Sequence, residues 1–283
     1  MGEAKRIEVR PISASDASRI IKALHYSGKV VNNSQLHLGV FLDGRCGGAM
    51  QFGPSLDKRK IQPLVSGTLW NEFIELNRMA FADWLPRNGE SRCIGYAMRW
   101  IRKTYPQIKW VVSFADGTQC GDGTIYRASG FVLTGIKENN QIWEAPTGET
   151  FNDTSLRPGI GGKQEQQRAK AVISRTTTKG GHICETGASS MKKYKEAGWK
   201  PKSGFQLRYL YFIDQEARKR LTVPVLPFSE IDRLGAGMYK GKSRERSADS
   251  GTPGNQSGGG GANPTRSLST PDRTKGGEGC PVT

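Results

Sequence analysis

The spacing of apolar and polar residues along the chain predicts alternating strands and helices. Strand periodicity or short apolar runs occur at residues 7–12, 36–42, 46–52, 73–81, 108–115, 131–134, 141–143 and 206–213. Helical spacing and N-capping residues predict helices over residues 13–24, 94–105 and 123–130. The first nine elements therefore follow the order β-α-β-β-β-α-β-α-β, which predicts an α/β (α+β) fold.

Two segments add detail to this plan. Asp43-Gly44 lies between two predicted strands and is typical of a tight hairpin turn. Residues 108–115 are almost continuously apolar, as expected for a central strand that is buried on both faces. We therefore expect a central mixed sheet flanked by helices.

The composition of the chain changes near its end. From about Gly235 the sequence is rich in Gly, Ser, Pro and Thr and has almost no large apolar residues. Such a segment buries too little surface to offset the entropy lost on ordering. We expect residues 1–235 to form the catalytic domain and residues 236–283 to be a disordered tail.

The chain is strongly basic, with a formal net charge of +16 and a pI near 9.8. Residues 240–283 hold seven Lys/Arg against four Asp/Glu, so most of the excess charge belongs to the predicted domain. This balance favours a polyanionic partner such as nucleic acid, although a generically basic protein would have the same charge.

Cysteine usage and the first residues indicate the compartment. The five cysteines are irregularly spaced without a C-x-x-C pair, which indicates neither a disulfide framework nor a structural zinc site. The chain begins without an apolar signal region and has no apolar run long enough to span a membrane. We expect a cytoplasmic protein without a membrane partner. The sequence does not indicate an oligomeric state.

Residues 75–97 have the layout of an acyl-CoA site. A strand is followed by Ser91-Arg92-x-x-Gly95-x-Ala97, in which a loop and the N-terminal end of a helix can receive a pyrophosphate. The pattern resembles the Gln/Arg-x-x-Gly-x-Gly/Ala loop of GNAT acetyltransferases, although so short a pattern also recurs by chance. The element order resembles that of the same family, which implies a GNAT-like fold and acetyl-CoA as a cofactor.

Residues 147–205 are predicted to be an insertion before the last strand of the sheet. The segment is polar and basic, and Tyr194 and Trp199 lie among its last lysines. Cations and aromatic residues cluster there without matching acids, a composition suited to a phosphate backbone, so we predict a DNA-binding insertion. The alternative is a solvated surface excursion. The predicted DNA-binding residues are Lys192, Lys193, Lys195, Lys200 and Lys202.

Several segments make the chain similar to the Mom family of phage DNA-modifying proteins. They are His25-Tyr-Ser-Gly28, residues 75–81, residues 113–119, residues 123–131 and residues 209–227. The resemblance implies transfer of an acetyl-CoA-derived carbamoylmethyl group to N6 of adenine in double-stranded DNA, which shields phage DNA from host restriction. It also implies a requirement for ferrous iron.

The same resemblance implies roles for single residues. His25, Tyr26, Asp116 and Tyr126 match the family's catalytic positions, and Arg78 and Ser91 match positions at the acetyl-CoA cleft. Arg92, Gly95 and Ala97 complete the predicted cofactor loop. With the family match, His25, Tyr26 and Asp116 become the predicted iron ligands, or groups that assist proton transfer.

Ordinary structural roles exist for the same residues. His25-Tyr26 can be a packed helix cap, Asp116 a turn residue before Gly117, and Tyr126 one face of an amphipathic helix. Arg78 can pair with Glu75, and Ser91 can cap a helix.

Three hypotheses follow from the sequence. The first is a DNA adenine-modifying enzyme that uses acetyl-CoA and iron. The second is an ordinary GNAT N-acetyltransferase that acts on a protein or small-molecule amine. The third is a nucleic-acid-binding GNAT scaffold without activity. The basic insertion favours the first and third, and the cofactor loop together with the His25, Asp116 and Tyr126 set favours the first over the third.

Overall fold

The computed structural model describes residues 2–157, 163–176, 190–239 and 242–243. The strands, in chain order, are β1 (Ile7–Pro11), β2 (Leu36–Leu42), β3 (Arg45–Gly53), β4 (Phe73–Phe81), β5 (Trp110–Asp116), β6 (Val132–Glu138), β7 (Ile142–Glu144), β8 (Thr150–Asn152), β9 (Lys200–Pro201), β10 (Phe205–Phe212), β11 (Met238–Tyr239) and β12 (Lys242–Ser243). The α-helices are α1 (Ala14–Leu24), α2 (Lys58–Ile61), α3 (Gly89–Thr104), α4 (Thr124–Ala128), α5 (Asp153–Leu156), α6 (Lys163–Thr176), α7 (Ser190–Glu196), α8 (Gln215–Lys219) and α9 (Ser229–Arg233). Short 3-10 helices cover Glu3–Arg6 and Gln62–Leu64.

A seven-stranded mixed sheet forms the centre, in the order β1-β2-β3-β4-β5-β10-β6. Its neighbours pair antiparallel except for β4 and β5, which are parallel. The predicted element order and the predicted mixed sheet are therefore confirmed. β10 enters between β5 and β6, so the last strand of the domain lies inside the sheet.

Local chemistry explains several of these boundaries. The side chain of Ser13 accepts a hydrogen bond of 3.1 Å from the backbone amide of Asp16 and so caps α1 as predicted. Asp43 (φ 51°) and Gly44 (φ 80°) form the turn of the β2–β3 hairpin, which needs two residues in the left-handed region.

The start of α3 differs from the prediction. The helix begins at Gly89 rather than near residue 94, so Arg92, Gly95 and Ala97 lie on helical turns and not in a loop. Asn88 adopts a left-handed conformation (φ 64°). The loop after β4 therefore ends at residue 88, earlier than the spacing of apolar residues predicts. A Cβ on Gly89 would lie 2.9 Å from Cδ1 of Ile7, so this position admits close packing of α3 on β1.

Apolar side chains cover both faces of the sheet. The largest cluster packs α3 and α4 on one face and includes Ile94, Met98, Leu207 and Tyr209. A smaller cluster around Ile21 packs α1 on the opposite face. No helix within the described ranges is long and apolar enough to cross a membrane.

The insertion is a small structure with its own core. β8, β7 and β9 form a three-stranded sheet, and α5, α6 and α7 pack nearby around buried aromatic residues. It begins with β7, near residue 142 and before the predicted residue 147. Tyr194 and Trp199 are both 2% exposed, so they belong to this core and do not form a stacking surface.

The folded part extends beyond the predicted end at residue 235. Ala236 and Met238 are buried, and Tyr239 forms a bridge with Gly121. Residues 240–241 and 244–283, the rest of the predicted tail, lie outside the described residues.

Candidate active site

A cleft opens where the two parallel strands of the sheet separate. β4 and β5 pair only from Phe73 to Glu75, opposite Trp110 to Val112, although both strands continue. At the point of separation the buried Ser113 hydroxyl donates to the carbonyl of Leu76 at 3.4 Å. Backbone groups beyond this point face the gap rather than a neighbouring strand, and such groups are suited to binding an extended ligand.

A β-bulge at Asn77 sets which side chains of β4 enter the cleft. The register shifts between Gln51 and Phe52 of β3, which leaves Asn77 as the extra residue on β4. Leu76 and Met79 pack on the α3 side of the sheet, whereas Ala80 packs on the α1 side. Strand alternation therefore places both Glu75 and Arg78 on the α1 side.

Glu75 is a carboxyl group in this cleft that the sequence analysis did not select. Burial raises the pKa of Glu75, while a hydrogen bond from Ser55, the neighbouring amide of Asn77 and the positive charge of Arg78 act in the opposite direction. A carboxyl group with a raised pKa, held by polar neighbours in a cleft, is suited to proton transfer. The sequence signal was present only as a charged residue inside an apolar strand.

Arg78 reaches across the cleft toward the end of α1. Its Nε donates to the carbonyl of Lys29 at 3.3 Å, and its Nη1 donates to the carbonyl of Asn77 at 2.8 Å. Its charge acts on His25 and Glu75. Arg78 therefore lies among the predicted catalytic residues.

His25 ends α1 and stacks near Tyr26, with ring centroids 4.2 Å apart. The backbone amide of Ser27 donates to Nδ1 of His25 at 3.1 Å, so the neutral ring carries its proton on Nε2. Burial, and then the charge of Arg78, lower the pKa of His25 to about 4. The imidazole is therefore neutral at pH 7.

Tyr26 and Asp116 come together from distant parts of the chain. Tyr26 is 52% exposed, yet removal of its hydroxyl end from water raises the pKa of Tyr26, and the charge of Asp116 raises it further. The surroundings of the hydroxyl, and not the exposure of the whole side chain, set this pKa, since only the hydroxyl titrates. Tyr26 stays protonated at neutral pH and offers an exposed ring.

Asp116 ends β5 and is held by two donors. Its Oδ1 accepts from the amide of Thr118 at 3.0 Å and from Nδ2 of Asn139 at 3.2 Å. Asp116 therefore has the structural role of a turn residue, as its sequence position allowed, because the hydrogen bond from Thr118 closes the turn after β5. The second bond connects Asp116 to the segment that leads from β6 into the insertion.

Tyr126 lies on α4 at the point where the strands separate. It is 8% exposed and packs against Phe131 and Tyr209, each with ring centroids 5.3 Å away. Burial raises the pKa of Tyr126 to about 12, although a hydrogen bond with Ser113 lowers it. Cys120 lies near enough for its charge to act on the hydroxyls of both Tyr26 and Tyr126.

The predicted cofactor loop occupies the first turns of α3. Ser91 donates to the carbonyl of Asn88 at 3.2 Å, and Arg92 is exposed and donates to the carbonyl of Lys5 at 3.4 Å. Gly95 is partly exposed, whereas Ala97 is fully buried and packs in the core. Ala97 therefore contributes packing, while the helix start contributes donors and a positive dipole end.

The predicted iron ligands do not form a prepared metal site. Nδ1 of His25 accepts from Ser27, Asp116 accepts two hydrogen bonds, and the charge of Arg78 acts on both His25 and Tyr26. Within the described ranges, no three His, Cys, Asp or Glu side chains gather in a way that could hold a metal ion. The predicted set contains only two such side chains, those of His25 and Asp116, together with Tyr26, so its metal role stays a prediction.

The predicted DNA-binding lysines surround the core of the insertion, and some have acidic partners. Lys192 lies 3.9 Å from Glu196, and Lys202 lies 3.6 Å from Glu144. Lys195 lies 5.9 Å from the centre of the Trp143 ring, and Lys200 is exposed. The side chain of Lys193 lies outside the described residues. The expectation of a cluster without matching acids is therefore wrong for Lys192 and Lys202.

Comparison with known proteins relates the whole arrangement to one family. A model of the Mom protein family matches residues 6–230 of the chain. The methylcarbamoylase mom of Escherichia phage Mu is 36% identical over 219 residues, which cover 77% of this chain and 80% of that protein. The matched range contains the sheet, the cleft and the insertion.

Solved acetyltransferase structures overlap with a smaller part of the chain. A GNAT-family acetyltransferase from Streptococcus pneumoniae is 14% identical, with a TM-score of 0.32 over 47% of this chain and 88% of that chain. One from Elizabethkingia anophelis, with acetyl-CoA bound, is 13% identical, with a TM-score of 0.33 over 47% of this chain and 81% of that chain.

Proposed function

The chain belongs to the Mom protein family, and we propose that it is a DNA-modifying transferase that acts on N6 of adenine in double-stranded DNA. Family membership supports modification of DNA. The observation that carries the chemistry is the gathering of Glu75, His25, Tyr26, Asp116 and Tyr126 around the point where β4 and β5 separate.

The acceptor amine explains why acid and base groups surround the cleft. Adenine N6 is a poor nucleophile, because its lone pair is delocalised into the ring, so a base that takes its proton assists attack. Glu75 is the carboxyl group that we assign to this role, and the positive charge of Arg78 favours its ionised form. Tyr126 stays protonated at neutral pH and is the donor that we assign to the departing thiolate.

We propose acetyl-CoA as the acyl donor on the basis of the same cleft. The separated edges of β4 and β5 offer backbone donors and acceptors to an extended arm, as a pantetheine would need. The start of α3 follows β4 after a short loop and offers amides and a positive dipole end to a pyrophosphate.

The base must leave the duplex to enter such a cleft. Enzymes that modify a base inside a duplex rotate it into a pocket lined by aromatic groups. The exposed ring of Tyr26, stacked near the neutral His25, is the surface that we assign to the flipped adenine. The basic insertion beside Asn139 and Asp116 would then hold the phosphate backbone.

The finer product that we propose is the carbamoylmethyl adduct, formed in the host cytoplasm and protecting phage DNA from restriction. Relative to acetyl-CoA, this product has lost two electrons at the methyl carbon and gained an amide nitrogen. The residues named above account for binding, orientation and proton movement. The bond from N6 to the methyl carbon replaces a C–H bond, which requires a two-electron oxidant such as dioxygen. Ammonia or an equivalent nitrogen donor replaces sulfur at the carbonyl carbon, and CoA leaves as the thiol. A ferrous ion, if present, would supply the oxidising chemistry.

Nucleoside mass spectrometry of DNA from cells that express the protein tests this proposal. We expect a modified deoxyadenosine that is heavier by the carbamoylmethyl increment and absent from cells with the empty vector. An acetyl increment would instead support plain acetylation of the base. Unmodified DNA from iron-replete cells that contain the folded protein would contradict the proposal and favour the second or third hypothesis.

A further inference from the structure

A second surface next to the cleft has the composition of a DNA contact. The β3–β4 segment, residues 54–72, carries three large apolar side chains more exposed than any other in the described part of the chain. They are Leu56 (82% exposed), Trp70 (68%) and Leu69 (61%). Solvent exposure of a tryptophan and two leucines in one short segment indicates a surface that another molecule covers.

The segment is firmly anchored beneath these side chains. Ile61 and Val65 pack in the core cluster that surrounds Phe73 and Trp110. Trp110 Nε1 donates to the hydroxyl of Thr68 at 3.2 Å. The exposed side chains therefore project from a fixed support, which distinguishes them from a loose loop.

The segment also reaches the candidate active site. Ser55, which directly precedes Leu56, hydrogen-bonds the Glu75 carboxyl group, and the carbonyl of Pro54 accepts from Asn33 at 3.1 Å. Leu56 is adjacent to Ser55, so a molecule that covers Leu56 would lie beside Glu75 and the cleft. Trp70 belongs to the same surface, because Lys58 lies beside its ring.

The charge of the segment selects the kind of partner. Lys58 lies 5.2 Å from the centre of the Trp70 ring, and Asp57 pairs with Lys60 at 2.7 Å. Neither Lys58 nor Arg59 forms an ion pair among the described residues, and Arg59 also lines a cavity of about 240 Å³. Exposed cations around an apolar side chain complement a phosphate backbone with bases beside it.

We propose that the β3–β4 segment is a DNA-contact element of this protein. Lys58 and Arg59 hold backbone phosphates, and Trp70 enters the duplex beside the target adenine, where it occupies the space that the flipped base leaves. Leu56 and Leu69 flank the inserted ring. This inference rests on the proposed function, because it assumes that the ligand of the cleft is a base taken from duplex DNA.

A comparison of paired and unpaired substrates tests the role of Trp70. The experiment uses the full chain and two DNA duplexes that contain an adenine modified by the wild-type protein. In one duplex this adenine is paired with thymine, and in the other it lies opposite an abasic site. We expect Trp70→Ala to reduce modification of the paired duplex by about tenfold or more, because a wedge assists unstacking. Modification of the duplex with the abasic site should remain within about twofold of wild type, since its adenine is already unpaired.

Leu234→Ala is the matched control, because Leu234 is also exposed (41%) and lies outside the segment. It should leave both duplexes unaffected. Equal rates for Trp70→Ala and wild type on the paired duplex would overturn the proposal, as would an equal loss on both duplexes. A change of oligomeric state with unchanged DNA binding would assign the patch to a protein partner and would also overturn it.

The cations are tested by the salt dependence of DNA binding, which needs no modification activity. The logarithm of the DNA-binding constant falls as the logarithm of the salt concentration rises. Lys58→Gln/Arg59→Gln should make this negative slope shallower by about 2, since each phosphate contact contributes about 0.9. Arg102→Gln/Lys103→Gln, on the last turn of α3, is the charge-matched control and should leave the slope unchanged. An unchanged slope for the first pair overturns the role of the cations. Absence of modification by the wild type, with a lowered slope for the first pair, would contradict the proposed function but support the contact element.

Discussion

The cleft and the insertion are built in opposite ways. The cleft takes its polar side chains from α1, β4, β5 and α4, and each is fixed by a hydrogen bond or a stacked neighbour. The insertion is a contiguous part of the chain, in which aromatic residues such as Trp199 are buried and lysines lie outside. One region fixes the positions of the proposed reacting groups, whereas the other presents charge.

This difference separates two kinds of effect. A substitution in the cleft changes groups that we propose to move protons, so it should lower the rate and leave DNA affinity intact. A substitution in the insertion changes cations or their support, so it should lower affinity and its salt dependence. A single substitution that lowers both the modification rate and the DNA affinity would contradict this separation of roles.

The largest expected effect is that of Glu75→Gln. The amide keeps the size of the side chain but cannot accept the adenine proton, so we expect a loss of modification of about 100-fold or more. Quantification of the modified nucleoside measures the rate, and a filter-binding assay measures DNA affinity, which should not change. Glu138→Gln removes an exposed carboxylate on β6 and is the matched control. A rate near that of wild type for Glu75→Gln would remove Glu75 from the mechanism.

Trp199→Ala should have the next largest effect, because it leaves a cavity in the core of the insertion. Truncation of a buried tryptophan costs about 3–5 kcal/mol, enough to unfold a core as small as this one. Limited proteolysis should then cut within residues 142–201 while the sheet resists, and DNA binding should weaken. Cleavage throughout the sheet at the same rate would show that the two regions do not fold separately.

The pH dependence of stability sharpens the description of the cleft. The pKa of His25 lies at about 4 in the folded protein, below its usual value of 6.5, so the unfolded state binds the proton first as the pH falls. Stability should therefore decrease between pH 6.5 and pH 4. From pH 7 to pH 5 wild type should lose up to about 2 kcal/mol more than His25→Gln in urea unfolding. Parallel losses for both proteins would contradict the burial of a neutral imidazole.

The smallest expected effect is that of the lysines of the insertion. We expect only a small effect when glutamine replaces Lys192, Lys195, Lys200 and Lys202 together. The negative slope of DNA binding against salt should become shallower by less than about 4, the value for four phosphate contacts. The reason is that Lys192 and Lys202 already have acidic partners. The modification rate at saturating DNA should not change, and a large change in that rate would break the separation of roles.

Periodicity predicted the framework of the domain because strand alternation and helix caps are local signals. The Asp43-Gly44 turn and the cap at Ser13 are examples, since each needs only neighbouring residues. The start of α3 was missed because it depends on the left-handed Asn88 and on packing of Gly89 against β1.

The cleft could be predicted only in part. Family resemblance selected His25, Tyr26, Asp116 and Tyr126, and the structure brings them near one another. Glu75 could not be selected from the sequence because the bulge at Asn77 brings Glu75 and Arg78, three residues apart, to the same side of the sheet, which strict alternation does not predict. The acidic partners of the lysines escaped notice because Glu144 pairs with Lys202 across a sheet and not along the sequence.

The most direct test of the account is a reaction of the purified protein with duplex DNA and acetyl-CoA labelled with 13C at both acetyl carbons, in an aerobic, iron-replete extract of the host cell that supplies the oxidant and the nitrogen source. The account predicts a modified deoxyadenosine that carries both labelled carbons, formed by wild type and reduced by about 100-fold or more in Glu75→Gln. A product without the label, or equal labelled product from both proteins, would contradict the assignment of the cleft between β4 and β5 as the site where the acetyl carbons reach adenine.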